Sequence, residues 1–395
     1  MVKKLLNTTT SNSVSTPVAV FFPNLNGIRC IASLLVLFHH MEILKAFFGM
    51  KNFSENIFIA RIGGLGVVLF FVLSGFLITY LLLAEKQKHS HIAIKSFYMR
   101  RILRIWPLYY LVVIIAFLVL PRFEFFYIPY LSDNLLTDFS LKLTLYLLIL
   151  PNVASVVTST VPYAGQAWSV GVEEQFYLLW PIILSKTQHY LEVLCAIIVV
   201  IVMFSNGFLG DGLITLGHYL HISNPDWYTL ATIVTKFFKD LRISCMAIGG
   251  IGAYLLFFNK EEILKILFSR SVQLFIYVVL ILLLLRGTSV SQEFYAVLFI
   301  IFIMNMAANT NRLFSLENPI INYLGKISFG LYMCHNIAIV IAIRVFLYFF
   351  STVDNLWHHL ILTGMVFSIA IIIAALSYHC LEIRFMKLKL YFSRS

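Results

Sequence analysis

Long apolar runs, interrupted by short polar loops, extend along almost the whole sequence. Many of them approach the roughly 20 residues with which a helix crosses a hydrocarbon layer of about 30 Å while bonding its own backbone. The pattern therefore predicts an all-α fold, a polytopic transmembrane helical bundle of about ten spans. We place these spans at residues 27–47, 60–83, 102–120, 169–186, 190–209, 236–258, 271–286, 292–308, 327–350 and 357–380.

Orientation follows from the basic residues, because cytoplasmic loops are enriched in Lys and Arg. The loop after the second span is the most basic and is expected in the cytoplasm, as are both termini; it holds Lys86, Lys88, Lys95, Arg100, Arg101 and Arg104. Residues 141–151 are apolar but short, and we expect a re-entrant or interfacial helix there. Three basic residues then fall on the outer side: Lys236, Lys239 and Arg242. The orientation of residues 120–260 therefore stays open.

The chain divides into three parts by composition. Residues 1–24 are Ser/Thr-rich and are expected to form a flexible cytoplasmic N-terminus, residues 25–385 one transmembrane domain, and residues 386–395 a cytoplasmic tail. The first apolar run has no small-residue cleavage pattern after it, so we expect it to be retained. We find no internal repeat and no appended soluble domain, which gives no support to inverted-repeat transporter architecture.

Composition excludes several function classes. The chain is 60% hydrophobic and 12% charged, against roughly 25% charged residues in a soluble domain. Its net charge of +11 would suggest nucleic acid in a soluble protein, but the cations lie at segment ends and set orientation. The five cysteines occur singly, without a CxxC pair or a histidine at ligand spacing. We therefore expect neither nucleic-acid binding, nor a disulfide framework, nor a metal site.

The first span carries two ionisable residues, each a functional candidate because charge inside a membrane is costly. Arg29 and His40 lie eleven residues apart, about three helical turns, and so share one face. Histidine suits acyl transfer because its unperturbed pKa near 6.5 allows it to take a proton from a hydroxyl. His39, the residue before His40, points about 100° away from it around the helix axis. Singly, Arg29 is also typical of a snorkelling anchor and His40 of a packing histidine.

Two features follow on the next spans. The glycine- and serine-rich stretch that includes Ser74, Gly75 and Phe76 permits close approach either of a neighbouring helix or of a thin ligand such as a pantetheine arm. Arg101 and Arg104 share a helix face, where two guanidinium groups could hold the phosphates of a nucleotide donor. The same pair is equally typical of a topology signal that touches anionic lipid.

Later spans supply acceptor candidates. Glu173 lies beside an aromatic strip, a common surface for a sugar ring, although acids near a helix N-terminus are also ordinary. His335 lies at a depth similar to that of His40, so the two histidines could line one cavity or be unrelated hydrogen-bonding groups. The remaining candidates around these two are Trp168, Ser169, Tyr177, Arg242 and Tyr332.

Taken in order, these motifs resemble those of the acyltransferase-3 family over nearly the whole chain. They are Leu25-Asn-Gly-Ile-Arg29 with His40, Gly66-Val with Phe70-Phe-Val-Leu-Ser-Gly-Phe76, Arg101-x-x-Arg104 with Pro107, Trp168-Ser-x-x-x-Glu173-Glu-Gln-Phe-Tyr177, Leu324-Gly-x-Ile-Ser-Phe329, Leu331-Tyr332 to His335, and Tyr378-x-x-x-Glu382. Asn26 stands where the family often has Asp, and Arg384 where Pro commonly follows the late Glu, which weakens any role for Glu382.

The resemblance implies a membrane-embedded enzyme that moves acetyl or other acyl groups from coenzyme A onto exported or lipid-linked glycans. It implies that Arg29 and His40 are the paired functional residues of the first helix and that Arg101 and Arg104 face the donor's phosphates. Some members carry an extra soluble esterase-like domain. Since this sequence ends at Ser395, we expect the membrane part or a separate partner to complete transfer.

The resulting hypothesis is an O-acyltransferase of the bacterial cytoplasmic membrane, with acetyl-CoA as donor substrate and no permanently bound cofactor. His40 would act as general base or as a transient acyl carrier, and Glu173 would orient the imidazole or bind the acceptor. The expected partners are the lipid bilayer, the glycan acceptor and proteins of envelope biosynthesis. The alternatives are a flippase of lipid-linked glycan without chemistry and a membrane acyltransferase of another fold.

Overall fold

The computed structural model describes residues 22–222, 224–286, 290–350, 352–353 and 355–392, and within these ranges it is helical and contains no strand. The all-α prediction is confirmed. Numbered along the chain, the helices are α1 (Leu25–Phe47), α2 (Ile57–His89), α3 (Ile94–Ile114), α4 (Phe139–Leu147), α5 (Pro151–Val157), α6 (Trp168–Lys186), α7 (Tyr190–Ser205), α8 (Phe208–Tyr219), α9 (Pro225–Leu241), α10 (Ile243–Phe257), α11 (Glu261–Leu267), α12 (Arg270–Arg286), α13 (Gln292–Ala308), α14 (Pro319–Lys326), α15 (Ser328–Phe349), α16 (Leu356–Ser377) and α17 (Ile383–Leu388).

Within the described ranges, six helical segments are long and apolar enough to cross a membrane, or up to eight if each of two bent pairs counts as one span. The bent pairs are α7 with α8, at 49°, and α11 with α12, at 55°. The predicted number of about ten is therefore approximate. The difference lies in α6, whose Glu173 and Glu174 reduce its apolarity, and in α13, which is a shorter apolar helix of 17 residues.

The segment predicted to be re-entrant or interfacial forms α4, which has nine residues. At 1.5 Å per residue it is about 13 Å long, less than half of the hydrocarbon thickness. Its Lys142 is buried, and the ammonium donates to the carbonyl of Asn134 at 2.5 Å and to Ser159 Oγ at 2.7 Å. Ile149, with φ of 57°, ends the turn before α5.

Helix α2 lies at the centre of the bundle and packs on α1, α6, α10 and α13. Glycines set its distance from α10. A Cβ at Gly75 would lie 1.9 Å from the carbonyl oxygen of Met246, and one at Gly249 would lie 2.1 Å from that of Val72. Because real Cβ atoms never approach so closely, only glycine permits this backbone contact. The contact brings α10 against the part of α2 that carries Ser74.

The start of α1 is fixed by Asn24. Its side-chain amide donates to the carbonyl of Met306 at 2.9 Å, and its side-chain oxygen accepts from the backbone N–H of Leu316 at 2.6 Å. The backbone N–H of Asn24 donates to the carboxylate of Glu317, and this bond, followed by one from Asn322, lowers the pKa of Glu317. These contacts hold the first turn of α1, and therefore Arg29, against the loop before α14.

The C-terminal segment folds back onto the bundle. Helix α16 continues through a π-helical turn, Tyr378–Glu382, into α17 and a short 3-10 helix, Lys389–Phe392, and both of the latter pack against α3. Arg100 of α3 donates to the carbonyl of Phe392 at 3.1 Å and pairs with Glu85 at 3.0 Å. The predicted tail thus packs on α3 as far as residue 392, while residues 1–21 and 393–395 lie outside the described chain.

Candidate functional site

An open cavity of about 210 Å³ lies between five helices at the end of the bundle where α1, α3 and α15 begin. Its walls are apolar, with polar groups at two places: a group of arginines around one acid, and a hydroxyl pair. The lining residues from α2 are Val67, Phe70, Phe71, Leu73, Ser74, Leu77, Ile78 and Leu81. The others are Arg29 of α1, Arg101, Arg104 and Ile105 of α3, Ser169, Val170, Glu173 and Tyr177 of α6, and Ser328, Phe329 and Tyr332 of α15.

Three arginines surround one carboxylate in this cavity. Arg29, Arg101 and Arg104 interact electrostatically with one another and with Glu173, the acid among the lining residues. Glu174 also interacts with Arg101, and Glu382 with Arg104. The Arg101 guanidinium lies over the ring of Tyr177, 5.5 Å from its centroid, and its buried Nε has no hydrogen-bond partner among the described residues. Three half-buried cations that share a single lining acid favour an anionic ligand.

The acid is held by hydroxyl groups. Glu173 interacts with the hydroxyls of Ser74 and Tyr177, and these two hydroxyls are hydrogen-bonded to each other. The side chain of Arg29 is held at the other side by the side-chain oxygen of Asn26, to which it donates at 3.1 Å. Residues from α1, α2, α3 and α6 therefore meet in one polar group, which brings the predicted catalytic residues Arg29 and Glu173 together with Ser74 and Arg101.

The hydroxyl pair lies at the far end of the cavity. Ser169 Oγ and the Tyr332 hydroxyl are 2.6 Å apart, and the Tyr332 hydroxyl donates to the carbonyl of Gln166 at 2.9 Å. The ring of Phe70 meets that of Tyr332 edge to face, with centroids 5.8 Å apart. Phe70 and Tyr332 thus form the end wall of the cavity.

Two histidines lie behind this wall. The ring centroids of His40 and His335 are 4.7 Å apart, and that of His335 lies 6.0 Å from Tyr332. His335 Nδ1 lies 2.6 Å from the carbonyl oxygen of Tyr332, and His40 Nδ1 lies 3.0 Å from that of Val36. Because a carbonyl only accepts, we assign the proton of each ring to Nδ1, which leaves Nε2 of both rings as the acceptor.

His335 is 1% exposed, and its Nε2 has no hydrogen-bond partner among the described residues. The free lone pair is therefore buried close to the second imidazole. The arrangement supplies an acceptor for one proton between His40 and His335. Neither histidine lines the cavity, whereas Phe70 and Tyr332 do.

Six predicted site residues do not line the cavity: His40, His335, Trp168, Gly75, Phe76 and Arg242. Gly75 packs on the backbone of Met246, and Phe76 packs on Phe22 with ring centroids 5.4 Å apart, so of the predicted donor-binding stretch on α2 only Ser74 lines the cavity. Arg242, at the break between α9 and α10, lies over the ring of Trp168 at 4.9 Å.

Sequence reasoning missed polar residues that tie the site together. Gln166 donates to the carbonyl of Met333 at 2.7 Å and accepts from Asn336 at 2.8 Å, which fixes the turn before α6 to α15. Trp106 donates to Glu174 at 3.3 Å. Gln166 lies two residues before the candidate Trp168, and Asn336 directly follows the candidate His335. Their closeness to these candidates was the sequence signal that could have identified them. No group of three His, Cys, Asp or Glu side chains in the described ranges is placed to hold a metal ion.

The fold and the site define a polytopic helical membrane protein with an arginine-lined cavity near a histidine pair. The chain belongs to the acyltransferase 3 family, whose model, described as an acyltransferase domain, matches residues 22–375. The resemblance inferred from the motifs is therefore confirmed.

Several curated proteins are similar over most of the chain. A peptidoglycan O-acetyltransferase, OatA, of Listeria monocytogenes is 26% identical over 92% of the chain and 55% of its own length. A putative O-acetyltransferase of Staphylococcus aureus strain COL is 26% identical over 93% of the chain and 58% of its own length. The chain thus spans little more than half the length of these relatives. No solved structure matches it.

Proposed function

We propose that this protein is an integral membrane acyltransferase that moves an acyl group, acetyl in the first instance, from acyl-CoA to a hydroxyl of an exported or lipid-linked glycan. The observation that carries the proposal is the half-buried group of Arg29, Arg101 and Arg104 in a cavity whose Tyr332 contacts His335, the neighbour of His40. Phosphates of the donor would neutralise that charge, and the imidazoles would handle the proton that a hydroxyl releases on acylation.

The size of the cavity supports a thin ligand. Its volume of about 210 Å³ is below the roughly 300–1,000 Å³ of pockets that enclose a drug-sized molecule. We assign the cavity to the narrow acyl-pantetheine arm of the donor. In this proposal the arm enters between Ser74 and Phe329, and the nucleotide stays at the entrance beside Arg101 and Arg104.

The proposed reaction begins when the acceptor hydroxyl loses its proton to His40 Nε2 while its oxygen bonds to the thioester carbonyl carbon. The carbon–sulfur bond then breaks, and the proton passes from His40 to the departing thiolate. Removal of a proton by a positioned base contributes typically 10²–10⁴-fold to rate. The thioester reaches His40 only after the Phe70 and Tyr332 rings separate, because these rings form the end wall. The variant in which His40 carries the acyl group uses the same geometry.

The acceptor and the location are part of the same proposal. The printed names of the relatives specify O-acetyl transfer, in one case to peptidoglycan, which supports an envelope glycan as acceptor. We place the domain of residues 25–385 in the bacterial cytoplasmic membrane, with both termini and the basic stretch from Lys86 to Arg104 in the cytoplasm. The donor site then opens to the cytoplasm, where acyl-CoA is made.

The test is transfer by the purified full chain in nanodiscs, supplied with isotopically labelled acetyl-CoA and a soluble oligosaccharide acceptor. The proposal predicts release of free coenzyme A together with labelled acetyl ester on the oligosaccharide, both lost in His40→Ala. Protein that binds no coenzyme A, and instead moves a glycolipid between leaflets, would contradict the proposal and identify a flippase.

A further inference from the structure

The C-terminal segment carries a cation that the reaction described above does not use. Lys389 begins the short 3-10 helix that packs on α3, and its ammonium interacts with Arg104, Arg101 and Arg100 of that helix and with Glu382 of the π-helical turn. Lys389 is half-buried and forms no ion pair or hydrogen bond among the described residues. It therefore adds an unmatched positive charge next to the cavity's arginines.

We propose that the segment from Ile383 to Phe392 forms the entrance wall of the donor site and that Lys389 contacts a phosphate group of coenzyme A. The inference rests on the proposed function, because it takes the donor to be coenzyme A. In the proposed function the cavity takes the acyl-pantetheine arm, and the nucleotide stays at its entrance beside Arg101 and Arg104. Lys389 does not line the cavity but interacts with both of these arginines.

The segment is positioned to do this. Arg100 donates to the Phe392 carbonyl at 3.1 Å and is itself paired with Glu85 of α2, so the end of the chain is fixed to two helices. Arg100 therefore already has an ion-pair partner and a hydrogen-bond acceptor, whereas Lys389 has neither among the described residues. An ammonium on a fixed segment, with no partner of its own, is available for a phosphate oxygen.

Burial, followed by the charges of Arg104 and Arg101, lowers the pKa of Lys389 to about 7. The free protein therefore holds this group only partly protonated near neutral pH. A bound phosphate favours the charged form and raises that pKa, so binding takes up a fraction of a proton, and the affinity for coenzyme A falls as pH rises above 7.

The experiment is isothermal titration of coenzyme A into the full chain in phosphatidylcholine nanodiscs at pH 7.5, in two buffers of different ionisation enthalpy. We expect Lys389→Gln to bind about tenfold more weakly, as for loss of one charge-assisted bond. Lys387→Gln, on exposed α17, is the matched control and should bind like the wild type. Lys389→Arg should restore the affinity but remove the proton uptake due to Lys389, because a guanidinium stays charged.

The outcomes separate the two proposals. Wild-type protein that binds no coenzyme A overturns the proposed function and this inference together. If the wild type binds and Arg101→Gln weakens binding, but Lys389→Gln and Lys387→Gln are indistinguishable in affinity and proton uptake, only this inference is overturned. A repeat in nanodiscs with phosphatidylglycerol tests whether a lipid phosphate is the ligand. If Lys389 holds the donor, Lys389→Gln lowers coenzyme A affinity and proton uptake in these nanodiscs as well. If Lys389 holds lipid, both differences disappear, which would overturn the assignment of Lys389 to coenzyme A.

Discussion

The imidazole rings of His40 and His335 lie 4.7 Å apart although they belong to α1 and α15. The backbone carbonyls of Val36 and Tyr332 fix both rings through Nδ1. The buried Nε2 of His335 is left without a partner. In the proposed reaction, a proton taken up by His40 would be shared with this second imidazole.

The first prediction concerns that sharing. We expect His335→Ala to lower kcat for acetyl transfer about 10- to 100-fold with KM for acetyl-CoA little changed, because the residue affects the proton and not the donor's phosphates. The measurement is steady-state release of coenzyme A by purified protein. His189→Ala, at an exposed histidine before α7, is the control. A wild-type kcat for the His335 variant would show that the histidine contact is only packing.

The second prediction concerns the donor. Arg101→Gln should raise KM for acetyl-CoA about 10- to 100-fold while kcat changes less, since a hydrogen bond to a charged group contributes about 1.5–3 kcal/mol. Affinity of the wild type should also fall with added salt. The matched control is Arg286→Gln, at the exposed end of α12.

If Arg101→Gln leaves KM for acetyl-CoA unchanged, and its donor affinity depends on salt as that of the wild type does, the donor's phosphates do not bind at Arg101. The same result at Arg104 would remove the arginine group from the donor site altogether.

The third prediction concerns helix packing. Gly75→Ala should destabilise the fold by about 1–3 kcal/mol, because the new methyl group would lie 1.9 Å from the Met246 carbonyl oxygen and force α2 and α10 apart. Thermal unfolding in detergent, followed by tryptophan fluorescence, measures the change. Gly364→Ala is the control, since a Cβ there meets nothing within 4 Å. Equal melting temperatures for the two variants would show that the α2–α10 contact is looser than described.

The fourth prediction concerns a buried ion pair near the other end of α1. Lys45 donates to both oxygens of Glu42 at 2.8 Å, and the two side chains are 1% and 2% exposed. In Lys45→Met the buried Glu42 carboxylate keeps only the hydrogen bond that it accepts from the Phe53 N–H. The variant should therefore be less stable to unfolding by about 3–5 kcal/mol. Adding Glu42→Gln should recover most of that loss.

The exposed pair of His189 and Glu192 gives the comparison for this experiment, and Glu192→Gln should have no measurable effect on unfolding. If the double variant at Glu42 and Lys45 is no more stable than Lys45→Met, the loss comes from side-chain volume and not from the stranded charge.

Local periodicity was enough to predict the helical bundle and the shared face of Arg29 and His40, because both depend on spacing along one helix. It did not determine the number of spans, since α6 mixes acids with an apolar stretch and α13 is short. The contact between His40 and His335 joins distant helices and was open from sequence. Gly75 and Ser74 are neighbours with opposite orientations, so one packs on Met246 and the other lines the cavity.

The position of the C-terminal segment was the least predictable feature. A basic end such as the one that includes Lys387 and Lys389 is also what a topology signal looks like, and the sequence was interpreted in that way. Only the fold brings Lys389 beside Arg101 and Arg104.

The central claim is that His40 performs the chemistry of an acyltransferase on a surface glycan. Its most direct test is mass spectrometry of surface glycans from cells that contain the wild-type protein or His40→Ala at equal abundance in the membrane. We expect one acyl mass increment to disappear in the His40→Ala cells and to remain in cells with the His189→Ala control. Identical glycan masses in wild-type and His40→Ala cells would contradict it.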